Sequence, residues 1–86
     1  MRHAGPQALD SIEDLLQEIR TYAGLRERKR GIFYRRSSAF LHFHEDPQGM
    51  FADLKLGERF TRLPVDGADN RERFLSALAV AAGDLR

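Results

Sequence analysis

Apolar residues recur at helical spacing early and late in the chain, and at strand spacing between. Leu9, Ile12, Leu16, Ile19 and Ala23 fall on one helical stripe, which Leu15 and Tyr22 widen; Asp14, Gln17, Glu18 and Thr21 take the opposite side. Asp10-Ser11-Ile12-Glu13 reads as a capping box that starts this helix. Gly24 weakens its last turns, so the helix either ends there or frays through Arg26-Glu27-Arg28-Lys29-Arg30 as a solvated tail, and in both cases Gly31 closes the segment. A second stripe, Phe74, Leu75, Leu78, Ala81, Ala82 and Leu85, follows Asp66-Gly67, with Asp69 and Glu72 as its capping pair.

Between the helices the period falls to two. Strands are predicted at 32–36, 39–45, 50–56 and 59–63, the last ended by Pro64, which has no amide to give a ladder. Ser37-Ser38 is read as the first tight connection. Asp46-Pro47-Gln48-Gly49 places Asp, Pro and Gly where a type I turn wants them, and Gly57-Glu58 fits a two-residue hairpin loop. The predicted fold is therefore α+β, a two-layer sandwich of helix, four-stranded antiparallel meander and helix. It forms one domain over 1–86, with 1–8 expected to be a disordered N-terminal segment.

The turns predict which side chains share a face. Centring the second hairpin on Pro47-Gln48 sets Leu41 opposite Leu54, His42 opposite Asp53 and Phe43 opposite Ala52, whereas a slip of one residue mixes polar with apolar on both faces. Extended through the neighbouring turns, this register gathers Ile32, Tyr34, Ala39, Leu41, Phe43, Met50, Ala52, Leu54, Leu56 and Leu63 on the core face. The outer face then collects Phe33, Arg35, Phe40, His42, His44, Phe51, Asp53, Lys55, Phe60 and Arg62. Four of the six phenylalanines land there. Each is worth roughly 1.5–3 kcal/mol when buried, so something is expected to cover that face.

Composition narrows the candidates. The chain has no cysteine, which removes disulfides, zinc–thiolate sites and thiol nucleophiles. No apolar run approaches a membrane span and the first residues lack a signal-peptide core, so the expected location is cytoplasmic, with no membrane partner. A net charge of +1 supplies no global field toward nucleic acid or anionic lipid. The twelve Arg against two Lys, with many Ala, suggest a GC-rich bacterial genome.

Three occupants of the outer face are weighed. The favoured one is a second copy of the chain: a small non-enzymatic domain that forms a homodimer, or binds a partner, through Phe33, Arg35, Phe40, Phe51, Lys55, Phe60 and Arg62. The second is a metal site at His42, His44 and Asp53, because alternate strand residues share a face and two imidazoles with a carboxylate suit zinc or iron(II). The third is single-stranded nucleic acid, stacked on the phenyl rings and neutralised by Arg and Lys. His42 paired across the strands with Asp53 is expected to have a raised pKa. No glycine-rich phosphate loop, activated nucleophile or acid–base carboxylate pair is present, so the chain reads as a non-enzyme that needs no cofactor. Ser37 and Ser38 are read as turn formers, Glu45 and Asp46 as solvating groups, and His3 as part of the disordered segment.

Overall fold

Antiparallel hairpins form the middle of the molecule, and the turn chemistry sets where they reverse. The computed structural model describes residues 1–86. Its elements are β1 (Arg2–His3), α1 (Pro6–Ser11), α2 (Glu13–Ile19), β2 (Leu25–Lys29), β3 (Ile32–Arg35), β4 (Ser38–Asp46), β5 (Gly49–Leu56), β6 (Arg59–Pro64) and α3 (Ala68–Ala82), with a 3-10 turn at Gly83–Leu85. The sheet runs β2-β3-β4-β5-β6, and β1 pairs with β4 beyond the end of β3. The fold is α+β, with a larger sheet than the four strands expected. No helix is long and apolar enough to cross a membrane.

Pairing of β4 with β5 follows the predicted register: Leu41 faces Leu54, His42 faces Asp53, Phe43 faces Ala52 and Asp46 faces Gly49. Gly57 holds φ 66° in the β5–β6 turn, as a two-residue loop requires. Gly49 is needed for a different reason. The Asp66 carboxylate accepts the Met50 amide at 2.7 Å and lies where a Cβ on Gly49 would stand.

Three expectations are corrected. The charged run after Gly24 is not a helix tail but β2. Arg28 lays its guanidinium 4.5 Å over the Tyr34 ring, and Glu27 turns to the helix side to meet Arg20 at 2.6 Å. Residues 1–8 are structured: β1 pairs Arg2 with Glu45 and His3 with His44, and α1 starts at Pro6, whose missing amide is harmless there. Neither proposed capping box forms. Asp10 and Glu13 instead receive Arg30 at 2.8 Å each, while α3 starts from Gly67, with Asn70 bonded to the Asp66 carbonyl.

The fourth correction bears on function. The β3–β4 turn is Arg36-Ser37, one residue earlier than expected, and Phe33 pairs with Leu41 while Tyr34 pairs with Ala39. Phe40 is therefore the extra residue of a bulge, and the two sides of β3 exchange places. Phe33 and Phe40 belong to the core at 1% and 4% exposure, not to an outer partner-binding face. Arg35 likewise turns to the helix layer, bonding the Ala81 carbonyl at 3.1 Å and Asp84 at 2.7 Å. Ile32 and Tyr34 leave the core, and Leu56 is 37% exposed.

All three helices cover one side of the sheet. Leu9, Ile12, Leu15, Leu16, Ile19 and Tyr22 join Phe74, Leu78 and Ala82 over Phe33, Leu41, Phe43, Ala52 and Leu54 in a single cluster. Phe33→Ala is expected to cost about 3–4 kcal/mol in urea unfolding. Phe60→Ala, which removes a side chain 44% exposed, should cost less than about 1 kcal/mol. Equal losses would return Phe33 to the surface.

An ion-pair network ties the first helices to β2. Hydrogen bonds from Arg30 and then Arg20 hold Glu13 at a pKa of about 2, below its ordinary 4.5. For Glu27, burial pushes upward, but the Arg20 guanidinium and the Gly31 amide prevail and its pKa also falls. Depressed carboxylates stabilise fully above their unfolded pKa, and that stabilisation disappears as pH falls through the folded value. Stability should therefore decline from about pH 4.5 toward pH 2. Glu13→Gln should flatten that decline when urea midpoints are compared across pH; parallel curves would show that the network contributes nothing.

Candidate metal centre

Strand alternation and three pairings converge on one spot of the uncovered face. His42 and His44 are two residues apart on β4, so both rings leave the sheet on the same side. Asp53 on β5 lies opposite His42, Arg62 on β6 lies opposite Asp53, and His3 on β1 lies opposite His44. The His3 ring stacks on His44 with centroids 4.6 Å apart, and Phe60 leans on His42 at 5.2 Å.

One nitrogen from each of His3, His42 and His44 lies within 4.8 Å of the others. His42 Nδ1 and His44 Nε2 are 3.2 Å apart. A zinc ion about 2.0–2.1 Å from each nitrogen, in tetrahedral geometry, sets neighbouring ligand nitrogens about 3.3 Å apart. Asp53 Oδ2 stands 3.1 Å from His44 Nε2 and 3.9 Å from His42 Nδ1. The near partner of the carboxylate is thus His44, although the ladder pairs Asp53 with His42.

Arg62 closes the polar side of the cluster. Its Nε and Nη2 donate to the two Asp53 oxygens at 2.8 Å each, a forked pair that both orients and neutralises the carboxylate. Those hydrogen bonds hold Asp53 below its ordinary pKa, against the upward push of burial. His42 behaves opposite to the sequence expectation. Burial lowers its pKa, and although Asp53 pulls upward, His44 and His3 add to the lowering. A neutral imidazole, the form that ligates metals, results. His44 Nδ1 is buried and meets no hydrogen-bond partner, a cost the cluster carries as it stands.

The remaining sequence candidates divide. Phe51, Lys55 and Phe60 lie on the uncovered face, Phe51 beside His44 and Lys55 beside Phe60. Phe33, Arg35 and Phe40 lie on the helix side and touch nothing here. His3 was the residue missed. Its only signal is that an imidazole precedes the Gly5-Pro6 helix start, and its partner strand is far away in sequence.

Removing the Asp53 charge should move the His42 titration further downward, since Asp53 is the group that raises it. The ring proton shifts of Asp53→Asn, followed by NMR against pH, test this. An upward move would show that hydrogen bonding rather than charge governs the ring. The chain matches no family model, no curated protein and no solved structure.

Proposed function

We propose that this protein binds a divalent transition metal of the zinc class through His3, His42 and His44. Asp53 stands as an adjoining fourth donor and Arg62 balances its charge. The observation that carries this reading is the convergence of three imidazole nitrogens within 4.8 Å, two of them at 3.2 Å. Imidazole suits zinc, copper, nickel and iron(II) more than calcium or magnesium, which favour oxygen.

The surroundings support a ligand set more than a chance cluster. His42 is held in its neutral form by burial, and Asp53 is hydrogen-bonded and oriented by Arg62, as ligating carboxylates are. Three nitrogen donors also leave a position that water or the Asp53 oxygen can fill. The self-association and nucleic-acid readings have less behind them. Two of their four phenyl rings, Phe33 and Phe40, are in the core.

Titration calorimetry of untagged protein with zinc chloride is the test, with about one ion bound per chain as the expected result. His42→Ala with His44→Ala should abolish that binding, and His3→Ala should weaken it by at least about 100-fold, more than the 10–100-fold typical of supporting residues. At 100 times its Kd, zinc should add about 2.7 kcal/mol to stability. Binding that survives the double substitution unchanged would refute the proposal.

A further inference from the structure

Independently of the histidine cluster, the opposite end of the sheet holds a groove. We infer that this groove binds a small amphipathic carboxylate, with the apolar chain against Phe40, Leu56 and Val80 and the carboxylate between Arg36 and Lys55. It lies where the β3–β4 and β5–β6 turns meet the last turns of α3, and its volume is about 790 Å³.

Three observations converge on this occupant. Large apolar side chains are exposed at only four places, and two of them, Leu56 at 37% and Val80 at 88%, line this groove. Ala81 and the bulged Phe40 continue the apolar wall. Two of its three cations are uncommitted: Arg35 is spent on Asp84 and the Ala81 carbonyl, whereas Arg36 and Lys55, the latter on the uncovered side of β5 at the sheet's end, form no ion pair. Asp84, which feels the Arg36 charge, is already held by Arg35 through both oxygens.

Arg36 supplies the third observation. It is the single non-glycine residue at positive φ, 57°, and it takes the first central position of a two-residue turn where glycine is the ordinary choice. The bulge that buries Phe33 and Phe40 imposes this backbone conformation, and an arginine rather than a glycine occupies it. An anionic head with an apolar tail answers both halves of the lining; a neutral apolar molecule leaves two cations unmatched, and an amphipathic cation is repelled.

Decanoate, kept below its micelle concentration, is the probe, with decyltrimethylammonium as the oppositely charged control. The expected result is saturable decanoate binding that shifts the NMR signals of Phe40, Leu56 and Val80, and no comparable response to the cation. Arg36→Gly separates function from structure, because it relieves the turn while removing the charge. The variant should melt no lower than the parent, yet bind decanoate about fivefold more weakly, the loss expected for one partly exposed charge contact. Lys55→Gln, outside any turn, should weaken binding similarly. The inference is overturned if decanoate does not bind at submillimolar concentration, if both amphiphiles bind equally, or if both variants keep the parent affinity.

Discussion

The turn at Pro47-Gln48 locks β4 against β5, and almost everything else in the molecule inherits that register. Asp46 and Gly49 frame the turn, and the Asp46 carboxylate accepts the Gln48 amide at 3.0 Å. Asp66 then clamps the start of β5 through Met50, while Val65 donates to the Met50 carbonyl. A slip by one residue would set the apolar residues of one strand beside the polar residues of the other. It would turn either Leu41 and Phe43 or Ala52 and Leu54 toward water, and drive either the two imidazoles or Asp53 into the helix layer. Burying an uncompensated carboxylate is far more costly than losing a few apolar contacts. One turn therefore specifies both the core and the polar cluster behind it.

On each side of that hairpin the sheet is adjusted by a local irregularity. The bulge at Phe40 brings two phenyl rings into the core where strict alternation would leave them in water. The price is a left-handed Arg36 in the preceding turn, about 1–2 kcal/mol of backbone strain, against roughly 1.5–3 kcal/mol for each ring buried. Burial wins. At the other end β3 is only four residues long against nine in β4, so the stretch His44–Glu45 has a free edge. β1 fills it, with the Glu45 carboxylate also accepting the Gly5 amide at 2.7 Å. The same shortness of β3 thus brings His3 to the cluster.

Legibility in the sequence follows how local each determinant is. The two hairpins around β5 could be read because Asp-Pro-x-Gly and Gly-Glu carry their turn chemistry within a few residues, and the alternation beside them is clean. β2 could not, because its residues are charged and their partners, Arg20 and Tyr34, lie outside the strand. The bulge was hidden for another reason: it expresses a preference of Phe33 and Phe40 for a core that the helices complete. Of the candidate site, His42, His44 and Asp53 followed from alternation plus register, and these lie together. His3 depends on an edge left open by another strand's length, and no short window of sequence contains that information.

The cluster also explains a tension in the stability of the sheet. Three imidazoles crowd one spot, one ring nitrogen there lacks a partner, and His42 has a pKa below its unfolded value. A lowered histidine opposes folding once the unfolded chain takes up a proton, so this site loses stability as pH falls below about 6.5. Arg62 offsets part of the strain by securing Asp53, but it adds positive charge that favours the neutral rings further. Such an arrangement is uneconomical as mere scaffolding; Thr or Val at these positions would stabilise a sheet better. Under the proposed reading, a bound divalent ion would draw on neutral nitrogen donors held close together. The crowding and the lowered basicity that weaken the cluster are then the properties the proposed ligand set would use.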